Sequence, residues 1–147
     1  PSYLYEFPSN KFVADFIGSI NFIGCQLSEI DGDVFKVITG ISEDEFTVEG
    51  NNSLRIGQDC WLGIRPEKIN FGDADEVNPY PNKLSGVVKN ITYFGQSSMY
   101  HVEVIGEKTA TITVMENHSR RSSYTKNKVG DSVVLCWLTK SALLFTS

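Results

Sequence analysis

A chain of 147 residues, 41% hydrophobic and 21% charged, has the size and balance of one globular domain with a core of its own. Its formal net charge of −5 opposes a role on nucleic-acid phosphates, which calls for clustered cations. No run approaches about 18 consecutive apolar residues, so no helical membrane span is expected, and no charged-then-apolar leader of the secretory kind is visible.

The chain opens with a helical period. Phe12, Val13, Phe16 and Ile17 form one apolar face, Ser9 behind Pro8 is placed to cap it, and Gly18 supplies a stop. Residues 2–7 read as a further helical turn or as an aromatic-rich packing segment. From about Gln26 the period changes to two. Val34–Ile38 and Glu45–Glu49 are strand-like around a polar turn, and Asp59–Pro66 forms a strand that ends at a proline.

Residues 70–82 are loaded with Gly, Pro, Asn and Asp and predict an exposed acidic loop between two β sections. The second section begins with Lys83–Gly95, where Gly86 predicts a bulge or sharp bend. Ser97–Ile105 alternates Met99, His101 and Glu103 against Tyr100, Val102 and Val104. Thr109–Met115 places Ala110, Ile112 and Val114 on one face, and Asp131–Leu138 and Ala142–Thr146 close the chain. About nine short strands with regular turns predict a mainly β barrel or sandwich, with no strict internal repeat.

Little in this pattern suggests catalysis. A nucleotide-hydrolysing phosphate loop needs G-x-x-x-x-G-K-[ST], and the chain has no Gly-Lys pair. Cys25, Cys60 and Cys136 are far apart, odd in number and without a C-x-x-C pair, and only His101 and His118 stand by to assist them. They read as buried thiols in a reducing compartment, so no catalytic, cofactor-binding or metal-ligating residue is assigned. The basic stretch 118–128 reads as a solvated loop or a contact for acidic groups. The most distinctive polar motif is Gly63–Ile69, in which a strand delivers Arg65 to its end and Glu67 follows Pro66. Arg65 and Glu67 are candidates for fixing this turn or for contacting a partner.

Three segments carry a resemblance. Residues 1–22 look like the segment that follows the nucleotide-binding domain in ABC importer ATPases of the sugar and polyamine type. Trp61–Ile69 is similar to that family's strand-and-turn motif. Leu84–Val104, with Gly86, Tyr93, Gly95 and Tyr100, resembles the core of the TOBE domain. The Gly18-Ser19-Ile20 run followed by the Arg65–Ile69 motif is closest to the spermidine/putrescine importers, because sugar importers more often carry proline where Ile20 stands.

The resemblance implies residues 1–18 as the tail of an ATPase domain and residues 19–147 as an OB-like, TOBE-type β-barrel. It implies a non-catalytic regulatory and dimerisation domain, with ATP and Mg held by the absent ATPase domain. The partners it implies are a second copy, that nucleotide-binding domain and membrane permease subunits, with no nucleic acid. The implied location is the cytoplasmic face of the bacterial membrane. The apolar closing strands offer Trp137, Leu143, Leu144 and Phe145 as interface candidates, with barrel filling as the competing role. A different class of function also stays open, a small-ligand module for an oxyanion, a sugar or a polyamine.

Overall fold

The computed structural model describes residues 20–50, 54–72, 80–117 and 127–146. The helix expected around Phe12–Ile17 lies outside them, as do residues 73–79 of the expected acidic loop and most of the basic stretch. Among the described residues ten strands form two five-stranded sheets. The first unit contributes β1 (Asn21–Asp31), β2 (Val34–Thr39), β3 (Phe46–Glu49) and β4 (Asp59–Ile64), then a single 3₁₀ turn at Pro66–Lys68 and β5 (Asn70–Gly72). The second contributes β6 (Asn82–Phe94), β7 (Ser97–Ile105), β8 (Thr109–Asn117) and β9 (Ser132–Trp137), then a 3₁₀ turn at Thr139–Ser141 and β10 (Ala142–Phe145).

The fifth strands are exchanged. One sheet runs β10-β4-β1-β2-β3 and the other β5-β9-β6-β7-β8, all pairs antiparallel. In the first sheet the two edges, β10 and β3, come back into contact, so the sheet curls toward a barrel. A continuous cluster of buried side chains from both sheets, including Leu27, Val37, Phe46, Leu62, Val102, Leu135 and Trp137, forms the core.

The two units are related by an internal repeat in geometry. β4 and β9 share one pattern of burial along their six residues. The Leu27 N–H donates to Gln58 O at 3.0 Å and the Gly57 N–H to Leu27 O at 2.7 Å. In the second unit the Val88 N–H donates to Asp131 O at 3.0 Å and the Gly130 N–H to Val88 O at 2.8 Å. Gly57 and Gly130 take φ of 91° and 95°, a region side-chain-bearing residues rarely adopt. Register shifts fall at Leu27/Glu29 and at Val88/Asn90.

Three expectations are corrected. The period of two begins at Asn21, not near Gln26, since Asn21, Ile23, Cys25 and Leu27 all point inward along β1. The expected loop 70–82 contributes its first three residues to β5 and its last to β6. Gly86 marks no bulge, for it pairs regularly with Val133. It is needed because a Cβ there would fall 2.5 Å from Val102 Cγ1 and 2.9 Å from Glu103 O.

Candidate functional site

β4 delivers Arg65 in extended conformation (φ −71°, ψ 141°) to the 3₁₀ turn, with Pro66 in its first position. The Lys68 N–H donates to Arg65 O at 3.0 Å, and Pro66 and Ile69 are buried. The Arg65 Nη1 to Glu67 Oε2 separation is 3.8 Å, and the Glu67 side chain is 51% exposed. A pair this long, with Glu67 solvated, contributes little by itself, and the Lys68–Arg65 hydrogen bond and the burial of Pro66 and Ile69 support the turn.

Beside the turn lies a depression of about 270 Å³, lined by Arg65, Lys68, Lys140, Ser141, Leu143 and the chain at Ile20 and Gly63. Lys68 ends the first 3₁₀ turn, whereas Lys140 lies at the middle of the second, which the strand exchange brings alongside. Three cations converge here, and among the described residues no carboxylate lines the depression. It suits an anionic group, whether a small anion or a carboxylate on a partner's surface.

Two sequence candidates thus meet in one place, Arg65 and the half-exposed Leu143. The other three interface candidates are in the interior. Trp137 is fully buried with its ring 5.0 Å from that of Phe46. Leu144 belongs to the core cluster. Phe145 lies edge-on to Phe22 at 5.5 Å and across Gly63, where a Cβ would fall 2.3 Å from its ring. These three fill the protein and present almost no surface to a partner.

Sequence reasoning missed Lys68 and Lys140, because nothing in the chain announces that β10 will lie beside β4. It also missed a pair of asparagines. At the start of β1, Asn21 Nδ2 donates to Thr113 O at 2.7 Å and Asn21 Oδ1 accepts from the Thr113 N–H at 2.8 Å. At the start of β6, Asn82 Nδ2 donates to Thr47 O at 3.0 Å and Asn82 Oδ1 accepts from the Thr47 N–H at 2.7 Å. Each clamps an edge strand of the opposite sheet. The signal was an asparagine in phase with inward apolar residues, where only a hydrogen-bonded amide is tolerated.

Among the described residues the acidic side chains are divided. Glu107 joins Glu43 and Asp44 in lining a cleft of about 740 Å³ that also holds Lys83, while Glu45 is turned to a serine, its Oε2 accepting from Ser28 Oγ at 2.6 Å. Among the described residues no cluster of His, Cys, Asp and Glu is fit to hold a metal ion. No helix there is long and apolar enough to cross a membrane.

A mainly β body of two curled sheets, with a strand-and-turn motif at their seam, defines the class. The family model for the TOBE domain matches residues 62–145, more than half of the chain, and the protein belongs to the TOBE domain family. Among curated relatives, it is 32% identical over 146 residues to the spermidine/putrescine import ATP-binding protein PotA 2 of Pseudomonas aeruginosa, covering 93% of this chain. It is 28% identical to the putrescine transport ATP-binding protein PotG of Escherichia coli K12, covering 99% of this chain. The chain spans 37% and 38% of the length of these two relatives. A solved structure of the cytoplasmic molybdate-binding protein ModG with molybdate bound shares the fold. Its TM-score is 0.71 at 15% identity, over 86% of this chain and 96% of that one.

Proposed function

We propose that this chain is the non-catalytic accessory domain of the ATP-binding subunit of an ABC importer of the spermidine/putrescine type. The observation that carries the reading is the reach of the alignment with PotA 2, 93% of this chain, well outside residues 62–145 of the family match. In this reading ATP and Mg are bound by the nucleotide-binding domain of the full subunit, which docks on permease subunits at the cytoplasmic face of the membrane. The accessory domain self-associates and so raises the effective concentration of one ATPase domain for the other. With Trp137, Leu144 and Phe145 buried in the core, Leu143 is the interface candidate left for that contact, with Arg65 and Glu67 as the contact candidates near it.

Sedimentation equilibrium over a concentration series, with and without spermidine, tests the tether. A monomer–dimer equilibrium is expected, weakened by Leu143→Asp and unmoved by spermidine beyond the effect of NaCl at equal ionic strength. A monomer at every concentration overturns self-association by this domain.

A second reading, a small-oxyanion module, is favoured by the depression where Arg65, Lys68 and Lys140 meet Ser141. ModG, which shares the fold, binds molybdate. Calorimetric titration with molybdate and with sulfate decides it, and heat that Lys140→Ala abolishes would favour this reading over the tether.

A further inference from the structure

Cys25 and Cys60 lie 35 residues apart in the chain and directly opposite one another across the β1–β4 pair. Their sulfurs are 3.3 Å apart. Directly opposed residues in an antiparallel pair have Cα separations of about 4.5 or 5.5 Å, and both values fall inside the range a disulfide spans. Bond formation therefore asks the sulfurs to close to about 2.05 Å with little demand on the backbone.

Cys25 and Cys60 are buried, at 8% and 4% exposure, but border open space. Both residues line a cavity of about 540 Å³, together with Asp59, Trp61, Glu107 and Lys108. Cys136 provides an internal contrast. It is buried at 1% exposure, its thiol is directed at Asn70 O at 3.4 Å, and it does not line that cavity.

We propose that Cys25 and Cys60 form a reversible cross-strand disulfide when the protein meets a hydroperoxide. The Cys60 sulfur attacks a peroxide oxygen, the O–O bond breaks, and the departing alkoxide or hydroxide takes a proton and leaves as an alcohol or as water. Cys60 is then a sulfenic acid. The Cys25 sulfur attacks it, the S–S bond forms and the S–O bond breaks, and the hydroxyl leaves with the Cys25 proton as water. Two thiols lose two electrons in all, and the hydroperoxide is reduced.

The sulfurs are in hydrogen-bond contact and either can donate. With Cys25 as the donor, the contact lowers the Cys60 thiol and, together with burial, raises that of Cys25, which makes Cys60 the attacking sulfur. Burial and the charge of Asp59 oppose ionisation of Cys60 without reversing its direction. A thiolate with a proton-bearing partner in contact is the arrangement in which sulfenic acid resolves to a disulfide before further oxidation.

The test is intact-mass and peptide analysis of the native chain exposed to hydrogen peroxide, then alkylated. Before alkylation the expected product is about 2 Da lighter than the untreated chain, and after it the product holds a peptide linking Cys25 to Cys60, carries an alkyl group on Cys136 and reverts with dithiothreitol. It forms at least about tenfold faster than Cys136 is oxidised in the same molecules. Cys136→Ala retains the product and Cys60→Ser does not. Oxygen adducts on Cys25 or Cys60 without the linked peptide, or a link involving Cys136, overturn the proposal. Because the wild-type peptide map decides between these outcomes, the test stands even if Cys60→Ser fails to fold.

Discussion

Replacing Asn82 by alanine tests whether the asparagine clamps hold the two sheets together. Asn82 has no exposed surface, and its amide exchanges two hydrogen bonds with the backbone of Thr47 at 2.7 and 3.0 Å. The Thr47 hydroxyl in turn lies 2.7 Å from that of Thr139, so the clamp extends to the second 3₁₀ turn. Each hydrogen bond contributes about 1 kcal/mol net, and a buried partner left unsatisfied adds about 1 kcal/mol or more. Thr47 is half-buried, so water reaches part of what is vacated. The expected loss is about 3 kcal/mol, or a fall in Tm of about 6–12 °C for a domain of this size. Urea unfolding followed by the fluorescence of buried Trp137 measures it. Asn82→Asp should lose a similar amount, because it sets a carboxylate oxygen against Thr47 O. By the repeat, Asn21→Ala should fall within about 1 kcal/mol of Asn82→Ala. A loss below about 1 kcal/mol for Asn82→Ala would refute the clamp.

Three further outcomes are expected. Gly106→Ala places a Cβ 2.8–2.9 Å from the backbone of Gly40 and Ile41, atoms that cannot rotate away, and should cost about 1–3 kcal/mol in the same urea assay. Glu67→Gln should change stability by less than about 0.5 kcal/mol, given the 3.8 Å separation and the exposure of Glu67; a larger loss would mean that the ion pair holds the turn. Burial raises the Cys136 thiol above its ordinary 9.0. The unfolded chain therefore sheds this proton first, so the stability is fully present below about pH 9 and declines as pH rises above it, by at most about 1.4 kcal/mol per pH unit. Cys136→Ala should flatten that decline in urea midpoints measured between pH 8 and 10.5, and an unchanged slope would place the alkaline loss elsewhere.

The strands of the second unit were legible because their alternation is clean. Tyr100, Val102 and Val104 point inward along β7 as their spacing dictates, and Ile112 and Val114 do so along β8. β1 was hidden because its inward face includes Asn21 and Cys25 and its outward face includes Phe22, which blurs the contrast between polar and apolar that a period rests on. β5 was hidden because three residues carry no period. The repeat escaped because it lives in backbone geometry, while equivalent positions differ in residue type. Cys25 opposite Cys60 in one unit becomes Gly86 opposite Val133 in the other. The exchanged fifth strands were beyond reach for a related reason: whether β10 completes its own sheet or its neighbour's is settled by tertiary packing, and local propensity is the same in either case. The cation-lined depression depends on that exchange and so was equally out of sight.

That difference between the units frames a last prediction. Gly86 is crowded against Val102, so the second unit has no room for a thiol at this position, whereas Cys25 in the first unit lies in sulfur contact with Cys60. Oxidation would tie β1 to β4 across a separation of 35 residues. In the chain-entropy account a loop of this length stabilises the folded state by about 3.8 kcal/mol if the bridge is unstrained. The oxidised protein should therefore unfold at a higher urea concentration than the same sample with dithiothreitol, and Cys136→Ala should preserve the gap. A shift of about 2–4 kcal/mol agrees with a bridge that fits the native register. An oxidised form less stable than the reduced one would show that closing the sulfurs distorts the β1–β4 pair. The stored strain would then make the bond easier to reduce, and the oxidised state would be short-lived in a thiol-rich compartment.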